Sequence, residues 1–375
     1  MRILLGGIPL GCDNIGDEAI IAAVVKMLKA SIDGVELTVA TADPDTAQLL
    51  GVEVVPPFGF LDVGYAGFAE VVAAHDAYVW CGATGLSDYP HVALRLLEIA
   101  QGKGVPTFVW GVGMDDELNP VFFRAAGKRR LLLSLFGLVG AYERLLRLRL
   151  RRRIARVLPR CRGVWLRDPE SAAMLARTGF PGAGVAADSA ILLRTENGKL
   201  KIEDERNPRL GLCISTQRQV ADLDGLLHLI DFLRASGAEV VGIPMNPKTD
   251  RALLGRLGVE CIPGTTPEAV MEAAAKCSVV LSSRLHLLIL AANAGTPGLG
   301  IARGSKLANW LANFGESVVG SVRDCDWGKV RGCVLAALKG RGDWDARRGA
   351  AYERLCARLE KARAEFVSRL MECGR

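Results

Sequence analysis

At 375 residues the chain exceeds the length at which one core keeps growing, so two domains of about 150 to 190 residues each are expected, and with 50% hydrophobic residues it can bury both. Its ten cysteines stand singly with no CxxC pair, which argues against a zinc centre or a disulfide framework and for reduced thiols in a cytoplasm. The net charge of +6 is local, because between Arg124 and Arg162 the only acid among many basic residues is Glu143.

In chain order, Arg2 to Gly7, Glu36 to Ala40, Ala77 to Trp80 and Thr107 to Gly111 read as strands separated by amphipathic segments. The first apolar run is too short for a signal peptide, and no membrane span or secretory route is indicated. This alternation predicts a parallel sheet with helices on both faces. Directly after the first strand, Gly11-Cys12-Asp13-Asn14-Ile15-Gly16-Asp17-Glu18 opens the first helix, its glycines permitting a tight turn. Asp17 and Glu18 serve there either as first-turn acids favouring the helix dipole or, with Asn14, as hydrogen-bonding groups for a polyhydroxylated substrate, Asp17 then being a candidate base. Cys81-Gly82-Ala83-Thr84-Gly85-Leu86-Ser87-Asp88 and Gly111-Val112-Gly113 repeat the small-residue pattern after later strands, as ordinary turns or as loops that let a ligand approach the backbone.

Leu131 to Val139 is an apolar run, and Tyr142 to Val157 sets Leu145, Leu146, Leu148, Leu150 and Ile154 among arginines. This basic amphipathic insertion, about 124–162, suits either an anionic membrane surface or a solvated helix covering the N-terminal domain. Nucleic acid is disfavoured, since Tyr142 alone among the aromatic residues is interleaved. Val164 to Arg167 then reads as a strand before the helix start Asp168-Pro169-Glu170-Ser171. Arg167 is neutralised locally or held for a ligand, and side-chain alternation along a strand argues against Asp168 as its partner.

The polar segment Arg194 to Pro208 reads as a linker or edge hairpin, after which the alternation restarts. Leu210 to Ser215, Glu239 to Pro244 and Ser278 to Ser282 are expected strands; Leu223 to Ser236, Pro267 to Lys276 and Lys306 to Phe314 are expected helices. The expected fold is therefore α/β, two Rossmann-like domains in a GT-B-like arrangement facing across a cleft: residues 1–185, residues 186–344, and a C-terminal helix in 345–375. Arg284-Leu285-His286 follows the apolar strand ending Ser282-Ser283, where a strand opens onto a helix N-terminus. A guanidinium buried there demands an internal carboxylate or a bound anion. His286, two positions away, is expected to face the same ligand, and Lys306 joins it if its loop edges the site.

Together these motifs resemble the polysaccharide pyruvyl transferase family. The likeness runs from the Gly-x-x-Asn-Ile-Gly-Asp-Glu segment at Gly11 to Glu18, through the glycine-rich turn with Asp88, Leu-Arg-Asp-x-x-Ser at Leu166 to Ser171 and Ala187-Asp188, to Ser-x-Arg-Leu-His at Ser282 to His286. The resemblance implies transfer of the enolpyruvyl unit of phosphoenolpyruvate onto two hydroxyls of one sugar, giving a cyclic ketal and phosphate, with no metal or other cofactor. The donor-binding residues would be Arg167, Arg284, Leu285, His286 and Lys306, with His286 the acid; Asn14, Asp17, Glu18, Thr84 and Asp88 would face the saccharide, which is lipid-linked if the basic insertion docks on the inner face of a membrane. Cys81 and Ala83 stand where the family usually has glycine, and Ser283 where a larger residue is common. The alternatives are a GT-B glycosyltransferase using a nucleotide sugar, with Arg284 and Lys306 on its diphosphate, and a non-catalytic glycan-binding homologue.

Overall fold

Alternating apolar strands and amphipathic helices fold into parallel sheets, and every strand pairing described in the chain is parallel. The structure, a computed structural model, describes residues 1–115, 118–194, 208–215, 222–339 and 342–374, so most of the segment Arg194 to Pro208 lies outside the described residues. One sheet contains β1 (Arg2–Leu10), β2 (Glu36–Thr41), β3 (Glu53–Val55), β4 (Ala77–Cys81), β5 (Thr107–Val112), β6 (Gly163–Leu166) and β7 (Gly184–Val185) in the order β3-β2-β1-β4-β5-β6-β7. The other contains β8 (Arg209–Cys213), β9 (Glu239–Gly242), β10 (Val279–Ser282), β11 (Gly298–Ala302) and β12 (Gly320–Ser321) in the order β12-β11-β10-β8-β9. Both are doubly wound orders, and each reverses once, between β1 and β4 and between β8 and β10. The carboxyl ends of strands at such a reversal diverge and leave room for a ligand.

β3, β7 and β12 are too short to leave a periodic signal. β11 was hidden for another reason: Gly298 and Gly300 make it look like a loop. A Cβ on Gly298 would lie 2.7 Å from Leu288 Cδ2, and one on Gly300 2.9 Å from Leu311 Cδ1. These glycines let helices pack closely on the strand.

The chain forms two compact units: Met1–Leu10, Val24–Asp188 and Arg358–Arg375 in one, Gly11–Ala23 and Ser189–Ala357 in the other. Apart from a three-residue shift that brings Ala186, Ala187 and Asp188 into the first unit, this departs from the sequence boundaries at two places. Gly11–Ala23, assigned to the N-terminal domain, groups with the second unit, and the C-terminal helix Gly342–Met371 divides between the units at Ala357. In the first unit Phe366 of that helix stacks on Trp110, ring centroids 4.6 Å apart, and meets Phe108 and Trp165 edge-on.

The basic insertion is a helical hairpin, Gly127–Leu135 followed by Val139–Val157. Leu150, Ile154 and Val157 are buried in the first unit's core. Arg153 and Arg156 grip Glu98 on the helix Pro90–Gly102, with nitrogen–oxygen distances of 2.8 and 2.6 Å. For Leu150 and Ile154 the covering role is therefore the observed one, because their i, i+4 stripe supplies the apolar face the helix needs for packing.

Candidate functional site

In the second unit, the order reversal between β8 and β10 brings the ends Cys213-Ile214-Ser215 and Ser282-Ser283-Arg284 side by side. The two serines explain how the strand turns into the helix Leu285–Asn293. Ser282 Oγ accepts the Arg284 N–H at 2.8 Å and donates to the Arg284 carbonyl at 2.9 Å, while Ser283 Oγ accepts the Ser215 N–H at 2.7 Å. Arg284 is the extended residue before the helix, so its backbone is fixed by hydroxyls rather than by regular structure.

The buried Arg284 guanidinium does have an internal counter-charge. Its Nη2 donates to Asp250 Oδ1 at 2.7 Å and its Nε to Oδ2 at 3.2 Å. Asp250 is fully buried in the first turn of the helix Pro247–Arg256, and its Oδ2 also accepts the Met245 and Asn246 N–H groups at 3.2 and 2.8 Å. Burial, together with this carboxylate, keeps the neighbouring Cys213 thiol protonated, well above the usual range. The pair holds the guanidinium in one orientation, so a guest would meet a preorganised fork. No periodicity or motif links Asp250 to Arg284, 34 positions apart.

His286, the second residue of the helix, is half-buried and leans on the segment Gly11–Glu18 at Gly16. A Cβ on Gly16 would lie 2.1 Å from His286 Nδ1 and 2.7 Å from its Cβ, so only glycine fits without moving the whole ring. The motif's glycine carries this signal as well as permitting the tight turn. The segment is tied down in the same unit by Ile15 N–H donating to the Met245 carbonyl at 3.0 Å and by the ion pair of Lys248 with Asp13 at 2.5 Å. Gly16→Ala is accordingly expected to displace the ring and lower kcat about tenfold to a hundredfold, while the melting temperature stays near that of the parent. Steady-state kinetics with equal kcat in both proteins would contradict this.

Asn14 and Asp17 are bonded to each other, Nδ2 donating to Oδ2 at 2.5 Å, and Asn14 Oδ1 accepts the Gly16 N–H at 3.2 Å. These are local helix-start bonds of the kind expected for first-turn polar residues. The segment is electronegative all the same. Burial and the carboxylates of Asp17, Asp13 and Glu18 push the Cys12 thiol up to about 11. Lys306 lies in the first turn of the helix Ser305–Ala312, beyond the end of β11, the strand beside β10. Arg303, which the sequence did not single out, precedes it in the same connection.

In the first unit, Arg167 follows β6 and is buried with three acids. Its Nε donates to Asp168 Oδ2 at 3.1 Å, and its Nη1 stands 3.8 Å from Asp188 Oδ2. The alternation argument against Asp168 fails here. Asp168 has left the strand to cap the helix Pro169–Thr178, accepting the Ser171 N–H at 2.7 Å, and the long arginine side chain curls back to it. Burial works against the Arg167 charge, but Asp168, Asp188 and Asp115 outweigh it and hold its pKa above the ordinary value. A Cβ on Gly113 would lie 2.6 Å from Arg167 Nη2, which explains that glycine. Also in this unit, the Thr84 hydroxyl donates to the Asp88 carboxylate, and Ala83 takes a left-handed φ of 55°. Glycine adopts that conformation without strain, which is why the family's usual residue suits the position.

A family model described as polysaccharide pyruvyl transferase matches residues 14–305, which spans Asn14, Arg167, Arg284 and the first residue of the Lys306 helix. The chain belongs to the polysaccharide pyruvyl transferase family. Its fold is α/β with two Rossmann-like units, as in GT-B enzymes. Similar solved structures include the UDP-GlcNAc 2-epimerase from Neisseria meningitidis bound to UDP-GlcNAc, at 13% identity and a TM-score of 0.59 over 99% of this chain and 100% of that one. Anabaena Alr3699/HepE in complex with UDP and glucose is 12% identical with a TM-score of 0.58, over 98% of this chain and 99% of its own. The spinosyn rhamnosyltransferase SpnG is 17% identical with a TM-score of 0.54, over 95% and 96%. At these identities the likeness is one of fold. No curated protein matches this pyruvyl transferase family member in sequence.

Proposed function

We propose that the protein moves the enolpyruvyl group of phosphoenolpyruvate onto a sugar of a cell-surface or cell-wall polysaccharide precursor, closing a pyruvate ketal and releasing phosphate. The observation that carries this reading is the family match combined with an Arg284 fork held by Asp250 at the order reversal of the second sheet. Phosphoenolpyruvate carries about three negative charges, and planar guanidinium contacts suit its carboxylate and phosphate. Arg284, the N–H of Leu285, His286 and Lys306 belong to one unit and to the starts of two helices, where anions are favoured.

In the reaction one sugar hydroxyl adds to C2 of the donor while a proton reaches the methylene carbon, which becomes the ketal methyl group. A second hydroxyl then displaces phosphate from the same carbon, and its proton leaves with the phosphate. His286 is assigned the proton delivered to the methylene, since its ring stands at the helix start proposed to hold the donor. The electronegative Asn14, Asp17 and Glu18 segment repels the donor and suits the acceptor hydroxyls, with Asp17 as the base. Thr84 and Asp88 remain acceptor candidates of the first unit. Arg167 adds little attraction for a trianion, because three acids already offset it, and its part in donor binding requires one of them to turn away.

A nucleotide-sugar donor is the second reading, favoured by the UDP and UDP-GlcNAc complexes among proteins of this fold. Thermal unfolding with each donor separates them. A ligand at about a hundred times its Kd stabilises the native state by about 2.7 kcal/mol, so phosphoenolpyruvate is expected to raise the melting temperature by several degrees and UDP-GlcNAc to leave it unchanged. The reverse pattern would replace the pyruvyl reading by the glycosyl one.

A further inference from the structure

We infer that the tip of the basic helical hairpin docks on an anionic phospholipid surface, inserting Leu131, Leu132, Leu135, Phe136 and Leu138 among the headgroups. The helix Gly127–Leu135 has no buried residue. Nine residues are too few to hold a helix in water by themselves, so such an element normally gains its stability from an apolar partner. Here the apolar side chains face outward: Leu135 is 74% and Phe136 69% exposed, and Leu131 is 66% exposed. Leu131 and Leu135 are four apart and Leu132 and Phe136 likewise, so they form two adjacent stripes on one face. Gly137, with φ of 65°, turns the chain, and Leu138 N–H donating to the Leu133 carbonyl at 2.8 Å closes a compact apolar knob.

Charge identifies the occupant. Lys128, Arg129 and Arg130 open the first helix, and Arg144, Arg147, Arg149, Arg151 and Arg152 are exposed on the second, where Leu145 and Leu148 also reach solvent. A second copy of the chain would bring the same cations face to face. A nucleic acid would match the charge and leave the leucines in water. Anionic lipid headgroups match the cations while the acyl boundary takes the apolar tip. The element lies on the surface rather than crossing it, since no described helix is long and apolar enough to span a membrane. Of the apolar residues that the sequence set in this pattern, Leu150 and Ile154 are buried in the core, whereas the run Leu131 to Val139 supplies the exposed tip.

Vesicle binding by the hairpin tip is independent of the donor. Co-sedimentation with vesicles containing about 30 mol% phosphatidylglycerol in phosphatidylcholine is expected to pellet most of the protein at about 50 mM salt and at least tenfold less at about 500 mM. The double variant Leu135→Asp/Phe136→Asp is expected to lose at least tenfold in vesicle partitioning, with unchanged helix content, melting temperature and elution volume. Wild-type protein that stays in the supernatant, or a double variant that pellets like wild type, would overturn the inference. So would light scattering showing a wild-type dimer that the double variant breaks without any vesicle binding, which would assign the knob to a second copy.

Discussion

Replacing Arg284 by alanine is expected to cost about 3–5 kcal/mol of stability, because Asp250, fully buried, would be left as an uncompensated charge. Turnover is expected to fall about a thousandfold, since in the proposed reading the lost fork is the principal cation that meets the donor. The two effects have different origins, and a double variant separates them. Arg284→Met combined with Asp250→Leu removes both charges and replaces them with apolar volume, so stability should return to within about 1–2 kcal/mol of the parent. Activity should stay lost. Chemical unfolding of the four proteins of the cycle gives the coupling energy, and a double variant that turned over normally would show that Arg284 is an ion-pair residue and nothing more.

His286→Ala is expected to separate binding from chemistry. The ring lies against Gly16, and in the proposed reading Arg284 meets most of the donor charge, so affinity for phosphoenolpyruvate should change by no more than about tenfold. Turnover should fall by about 10²–10⁴, the usual worth of a positioned proton donor. Calorimetric titration of the donor and single-turnover kinetics measure the two separately. A kcat equal to that of the parent would remove His286 from the reaction, whereas weakened binding with the same kcat would make it a donor contact only.

What the sequence made legible follows from the range of the forces involved. Strand and helix alternation is local, and so the parallel architecture, the helix starts at Pro169 and Pro267 and the exposed charge of the hairpin could all be read from it. Arg284 announced its need for a partner because an apolar strand leads directly into it. Which partner it took was not legible, since Asp250 is brought to it by the sheet order and leaves no mark in spacing. Asp168 shows the limit of a period-two rule: the rule holds along a strand, and Asp168 sits where the strand has already ended. In the hairpin, the apolar pattern gave an amphipathic helix correctly, but which leucines face the core depends on where the neighbouring helix Pro90–Gly102 lies. Gly11–Ala23 likewise reads as part of the first fold by order along the chain and belongs with the second by contact.

As proposed, the Arg284 edge takes a three-carbon enol phosphate and passes its pyruvyl unit to a saccharide. The most direct test incubates the protein with carbon-labelled phosphoenolpyruvate and wall-polysaccharide precursors, then follows label and phosphate together. Label is expected in the saccharide as an acid-labile ketal, with one phosphate released for each, and neither is expected with Arg284→Ala. Label that remains in free pyruvate, or a saccharide modified only when a nucleotide sugar is supplied, would contradict it.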